Sequence, residues 1–224
     1  MPNLKSTSTL LFKNVSTQQL IATLLPAIVV LLTIVLLSVG LKIPLSNFTR
    51  DTSAIASINP VYGVLSNIGI LLWCAATSFC AFAALMIKAT KHKTEYYFLI
   101  SSALLSAYLM LDDLFLIHEK FSVKAGLNED IVFALLGITV LIYLVYFRKV
   151  ILQTNAIMLL LALFFFSQSL VADFLENWLQ MQLGHWKYLI EDGTKWLGIA
   201  FWCSYFLYTS HQFAKQSNHF TRTP

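Results

Sequence analysis

Long apolar segments and short polar segments alternate along the whole chain. A helix needs about 20 apolar residues to cross a hydrocarbon core of about 30 Å. Six segments meet this requirement or come near it. The pattern therefore predicts an all-α, multi-pass membrane protein with six transmembrane helices. The predicted spans are residues 20–41, 63–87, 96–117, 131–147, 156–175 and 190–210.

The polar segments between the predicted spans are too short to form a separate soluble domain. We therefore expect one membrane domain, residues 20–214, flanked by tails of residues 1–19 and 215–224. The last apolar segment has only 13 residues, which would cover about 20 Å, so we expect its helix to begin earlier, near Ile190. Residues 178–188 mix aromatic and polar side chains and are expected to lie in the membrane interface.

Composition supports a membrane protein and restricts its partners. Hydrophobic residues make up 58% of the chain and charged residues only 12%, against roughly 25% charged residues in soluble domains. The mean hydropathy is +0.71. The net charge of +4 comes from basic residues scattered at segment ends, so we expect membrane lipids as partners and no nucleic acid. The three cysteines lie in apolar segments without a CxxC motif, and they predict no disulfide framework.

The distribution of lysine and arginine predicts the orientation of the helices. With six spans both termini share one side, and that side carries nine of the 15 basic residues. Because segments rich in lysine and arginine stay in the cytoplasm, we expect a cell-membrane protein with both termini cytoplasmic and residues 42–62 as the first outer loop. Ten of the eleven acidic residues then lie at or near the outer ends of the spans. This asymmetry favours a polar site on the outer side.

The most unusual polar stretch, residues 111–119, closes the third span. Asp112 would lie roughly 24 Å along that span, inside the membrane and near one face. Ionisable residues at such depth usually face a bundle interior or a wet cavity, and they mark a functional site. Three other spans bring polar groups to the same layer. The candidate site comprises Ser66, Asn67, Asp112, Asp113, His118, Glu119, Asp173, Glu176, Asn177, Glu191, Asp192 and Lys195.

Helical spacing assigns some of these residues to separate faces. Asp112 and Asp113 are expected to point about 100° apart around the helix axis. On the sixth span Glu191 and Lys195 form an i, i+4 pair. Gly198 lies on the same face of this helix, and because it has no side chain another helix could approach closely there.

Carboxylates and an imidazole in one layer are suited to binding a divalent metal ion. In this interpretation Asp113, His118 and Asp173 bind one divalent metal ion of unknown identity. Glu176 or Glu191 acts as the general base. The metal would lower the pKa of a bound water toward neutrality, and the resulting nucleophile would hydrolyse an ester or amide bond of an outer-leaflet lipid. The ligand types alone favour this hydrolase, since no H-E-x-x-H or comparable motif is present.

A small proton- or cation-coupled transporter is the alternative function. Carboxylates with few histidines favour hard cations or protons over zinc. Asp112 and Asp173 would then titrate, with Lys195 as their counter-charge. The position of the acids near one face counts against transport, because transporters usually hold their sites near mid-membrane. A third interpretation is an assembly subunit in which the polar layer only fixes helix register.

Overall fold

Every regular element in the described part of the chain is helical, which confirms the all-α prediction. The computed structural model describes residues 17–50, 52–88, 93–118, 124, 126 and 128–220. The helices are α1 (Thr17–Leu41), α2 (Ser46–Thr49), α3 (Thr52–Ala56), α4 (Val64–Ile87), α5 (Lys93–Phe115), α6 (Glu129–Tyr146), α7 (Arg148–Leu152), α8 (Ala156–Phe174), α9 (Glu176–Leu183) and α10 (Lys187–Phe220). A single 3-10 turn, Gly184–Trp186, joins α9 to α10.

The chain divides into two compact units, Met1–Tyr62 and Gly63–Pro224. The first unit contains α1 and the short helices α2 and α3. Residues 42–62 were expected to form a plain loop, and this expectation was incomplete because α2 and α3 lie within them. Each is only four or five residues long, which is too short for an apolar period to reveal.

The second unit is organised around α10, which packs against α4 and α8, while α4 also packs against α5. The core combines large aromatic side chains with small residues. Trp202, Tyr205 and Phe98 are among its largest fully buried side chains, and Ala76 and Ala84 of α4 are also completely buried. Small residues at helix interfaces let neighbouring backbones approach closely, so the polar groups of α4, α5 and α10 are brought within reach of one another.

Three helices of the second unit, α4, α5 and α8, are long and apolar enough to cross a membrane. Their length and composition indicate a membrane protein. Within the described residues, the apolar helical stretches Ala27–Leu41 of α1 and Ile131–Tyr146 of α6 are shorter.

Helix α10 begins before its apolar stretch, as expected from the shortness of that stretch. It starts at Lys187, three residues before the predicted Ile190, and continues to Phe220. Its 34 residues correspond to about 50 Å of helix. Glu191 and Lys195 therefore lie in its first turns, at the end of the second unit where α5 finishes.

Candidate functional site

Asp113 lies near the end of α5 and connects three helices of the second unit. Its Oδ1 atom is 2.7 Å from Nζ of Lys195 on α10. Its Oδ2 atom accepts a hydrogen bond of 2.8 Å from Nε1 of Trp73 on α4. The Asp113 side chain is 11% exposed, whereas that of Lys195 is 41% exposed. The carboxylate is thus held inside the bundle by a cation that still reaches the surface.

Asp112 contacts His118, six residues further along the chain. Nδ1 of His118 lies 2.6 Å from Oδ2 of Asp112, and the backbone N–H of His118 donates to Oδ1 at 3.0 Å. Both residues are buried, and the ring of Phe133 on α6 lies 4.6 Å from the imidazole, centre to centre. A carboxylate bonded to one ring nitrogen holds the imidazole in a fixed orientation.

The two neighbouring carboxylates point to different partners, in agreement with their predicted angular separation. Asp112 turns toward the residues that follow α5, while Asp113 turns toward α4 and α10. The adjacent residues Asp112 and Asp113 therefore place two pairs side by side, Asp112 with His118 and Asp113 with Lys195. We call these four residues, Asp112, Asp113, His118 and Lys195, the α5 polar layer.

An aromatic cluster beside the α5 polar layer supports Trp73. Phe166 of α8 stacks on Trp73, with ring centres 5.8 Å apart and planes inclined by 9°. Trp202 of α10 meets Trp73 edge-on at 5.7 Å. Phe166 also packs over Gly198, where an added Cβ would lie 2.6 Å from the ring. The prediction that Gly198 permits close approach of another helix is confirmed, and that helix is α8.

A second ion pair joins α9 to the start of α10, between Glu176 and Lys187. Lys187 is almost fully buried, whereas the side chain of Glu176 is 58% exposed. The hydrogen bond to Glu176 raises the pKa of Lys187. Glu191 is half-buried, and the charges of Asp192 and Asp173 act on it. The acids of α8, α9 and α10 therefore form an electrostatically coupled group of their own.

Several predicted site residues are exposed rather than brought into the core of the second unit. These are Ser66, Asn67, Asp173, Glu176, Asn177 and Asp192. Glu119 lies outside the described residues. The structure therefore concentrates the buried part of the predicted site in the α5 polar layer.

A ligand set for a metal ion is not assembled in the part of the chain that the structure describes. No group of three or more His, Cys, Asp or Glu side chains there could hold a metal ion. Asp113 and His118, two of the predicted ligands, belong to the two separate pairs described above. The third, Asp173, is exposed. Metal binding stays a prediction.

Trp73, Lys187 and a set of buried hydroxyl groups were missed by the sequence analysis. A signal for the hydroxyl groups is present, because Ser102, Ser106 and Asp113 are spaced four and seven residues apart and share one face of α5. Trp73 and Lys187 carry no comparable signal. Their roles depend on which neighbours the helices bring to them.

A match to a family model establishes the family of the chain. The description of that family names no activity. No curated protein and no solved structure matches the chain. The matching model is described as a domain of unknown function, DUF8692, and it covers residues 23–209. Because the match includes most of the sequence, the chain belongs to the DUF8692 family.

Proposed function

We propose that this protein moves protons across a membrane through the α5 polar layer. The observation that carries the proposal is the ion pair between Asp113 and Lys195, which joins α5 to α10 beside helices able to span a bilayer. Charged side chains are costly in such surroundings, and they commonly serve proton or ion pathways. A buried ion pair is also weak evidence for a purely stabilising role, because its desolvation offsets most of its attraction.

The Asp113–Lys195 pair has two arrangements that differ by one proton. When a proton binds the carboxylate of Asp113, the neutral acid no longer attracts the ammonium group and the ion pair breaks. Release of that proton restores the carboxylate and the pair. Since the side chain of Lys195 is 41% exposed, its ammonium group can turn toward the surface while Asp113 is protonated. The indole N–H of Trp73 remains available to the acid in both states.

The Asp112–His118 pair adds a second proton-binding group beside the first. Imidazole is the side chain whose ordinary titration falls between pH 5 and 8. The His118 ring is bonded to a buried carboxylate at 2.6 Å, so an added positive charge would be balanced locally. The imidazole of His118 would take up protons and pass them to the neighbouring carboxylates of the α5 polar layer.

We also propose that the chain crosses the cell membrane six times, with both termini in the cytoplasm and lipids around it. Three helices support this by length and composition, and α10 supports it because it packs against two of them. The distribution of lysine and arginine then puts the α5 polar layer near the outer face. Protons entering there would need a route through the inner half of the bundle.

Acid-pulse measurements on reconstituted protein test this function. The protein is placed in liposomes that contain a pH-sensitive dye, with potassium and valinomycin present to remove the membrane potential. After the external pH is lowered, we expect internal acidification to be about tenfold faster than in protein-free liposomes, equivalent to about 1.4 kcal/mol in barrier height. An equal rate in the two preparations would contradict the proposal.

A metal-dependent hydrolase that acts on a lipid ester or amide is the second candidate function. The observation that favours it is the Asp112–His118 pair, because metal-binding histidines usually bond a carboxylate through their other ring nitrogen. Asp113, His118 and Asp173 are the proposed ligands, with Glu176 or Glu191 as the base. These groups would have to move together in order to bind one ion.

Metal analysis separates the two candidate functions. If protons alone are moved, we expect detergent-purified protein to hold well below one divalent ion per chain after incubation with zinc, manganese or calcium. Asp113→Asn and His118→Ala would then leave the metal content unchanged. About one ion per chain in the wild type, lost in both folded variants, would favour the hydrolase and direct attention to lipid esters and amides.

A further inference from the structure

Buried hydroxyl groups continue from the α5 polar layer toward the opposite end of the second unit. We define the hydroxyl series as Ser106, Ser102, Tyr143, Tyr205 and Thr154. Within it, Oγ of Ser102 lies 2.7 Å from Oη of Tyr143. Oη of Tyr205 lies 2.9 Å from Oγ1 of Thr154. All members are buried except Thr154, which is half-buried in the connection between α7 and α8.

Longer intervals separate the two hydrogen-bonded pairs from each other and from the α5 polar layer. Ser106 and Ser102 lie one turn apart on α5, which corresponds to about 6 Å. Tyr143 of α6 and Tyr205 of α10 belong to one cluster of buried core residues. At the other end, Asp113 is seven residues beyond Ser106, or about 10 Å along the helix axis. The series therefore leads from the α5 polar layer to the half-buried Thr154 at the opposite helix ends.

The direction of the two hydrogen bonds between hydroxyl groups can be assigned. Ser102 donates its one hydroxyl hydrogen to the backbone carbonyl four residues earlier, at 2.6 Å, so Tyr143 donates to Ser102. Thr154 donates to the carbonyl three residues earlier, at 2.8 Å, so Tyr205 donates to Thr154. Each phenol oxygen keeps lone pairs that can accept a proton.

We infer that the hydroxyl series is the inner half of the proton pathway, an inference that rests on the function proposed above. For inward transfer the Ser102 hydrogen first turns from its backbone carbonyl to Oη of Tyr143, whose own hydrogen turns away from Ser102. Each hydroxyl oxygen then accepts a proton while its own hydrogen passes to the next oxygen, so one O–H bond forms as another breaks. The interval of about 6 Å between Ser106 and Ser102 would take one bridging water, and the interval of about 10 Å between Asp113 and Ser106 would take about three, each at little cost relative to a direct hydrogen bond. Thr154 would exchange protons with the cytoplasm.

The hydroxyl series supplies polar groups in the middle of the membrane, where the acids leave none. The sequence shows ten of eleven acids near the outer ends of the spans. Hydroxyl groups, which carry no charge, supply the missing intermediate positions at a much lower desolvation cost than carboxylates.

Tyrosine-to-phenylalanine variants test the series, because each removes a single oxygen atom. In the acid-pulse measurement we expect Tyr143→Phe and Tyr205→Phe to slow acidification about tenfold. The matched controls are Tyr146→Phe and Tyr208→Phe, which lie three residues later on the same helices and are 76% and 58% exposed. Both controls are expected to match the wild-type rate.

The possible results separate this inference from the proposed function. Wild-type rates in both buried variants, together with loss of activity in Asp113→Asn, would overturn the hydroxyl series alone. A wild-type protein no faster than protein-free liposomes would overturn both. If a tyrosine variant does not fold, Ser102→Ala decides instead: slower acidification supports the series, and an unchanged rate overturns it. A lower unfolding temperature with an unchanged rate would show that the hydroxyls only fix helix register.

Discussion

The Asp113→Asn variant is expected to acidify liposomes about tenfold more slowly than the wild type, at the rate of protein-free liposomes, because the acid–base group that carries the proton is removed. The amide oxygen can still accept the hydrogen bond from Trp73, which is 2.8 Å in the wild type, so the local packing is retained. An amide, however, cannot take up a proton at physiological pH. The acid-pulse rate, normalised to folded protein by size-exclusion chromatography, measures the effect. A rate within twofold of the wild type would remove Asp113 from the pathway.

The partner variant Lys195→Met separates the ion pair from the carboxylate itself. Loss of the cation leaves Asp113 buried and without its charge partner at 2.7 Å, and we expect destabilisation of about 1–3 kcal/mol. This is less than the usual 3–5 kcal/mol for a fully buried pair, because Lys195 is partly exposed. In the double variant, Asp113→Asn should restore much of the lost stability, because no unpaired charge is then left buried. Lys149→Met, at an exposed lysine of α7, is the matched control and should change little. Purely additive losses in the double variant would show that the two residues are not coupled.

Alanine at position 198 is expected to destabilise the protein by about 1–3 kcal/mol through overpacking. The new Cβ would lie 2.6 Å from the ring of Phe166, closer than carbon atoms approach, so the ring must move. Phe166 stacks on Trp73, and its displacement would also loosen the indole that donates to Asp113. Thermal unfolding in detergent should show a decrease of about 2–4 °C for each kcal/mol.

Gly137→Ala provides the control for this prediction. Gly137 also lies inside a helix, but nothing lies within 4 Å of an added Cβ there. Alanine should therefore be neutral or stabilise α6 by up to about 1 kcal/mol, since glycine is a poor helix former. Equal unfolding temperatures for the wild type and Gly198→Ala would show that α8 and α10 are not packed as closely as described.

The length of the apolar segments was sufficient to locate the long helices. Residues 63–87 and 156–175 were predicted as spans, and the structure has helices at Val64–Ile87 and Ala156–Phe174. The boundaries agree because an unbroken apolar segment of this length has one stable state in lipid, a helix that pairs all its backbone groups. The single-turn helices α2 and α3 were missed because they contain too few residues to show a period.

The candidate site was predicted in part. Asp112, Asp113 and His118 were identified because ionisable residues within an apolar span have few explanations. Spacing within one helix predicted an i, i+4 pair of Glu191 with Lys195, but it could not predict the ion pair that the structure shows between Lys195 and Asp113 on another helix. Trp73 and the buried hydroxyls were missed for the same reason, since their partners lie on helices distant in the chain.

The sequence by itself determined the helical class and the positions of the long apolar helices. It also determined that the side chains of Asp112 and Asp113 point in different directions and that position 198 has no side chain. All of these follow from the helical period and from the transfer of side chains between water and an apolar medium, which are local properties. Only the tertiary structure decided that Asp113 pairs with Lys195 and Trp73 and that Phe166 fills the space over Gly198. It also decided that Ser102 meets Tyr143 and that Tyr205 meets Thr154. Those contacts depend on how each helix is rotated about its axis against its neighbours, and packing fixes that rotation.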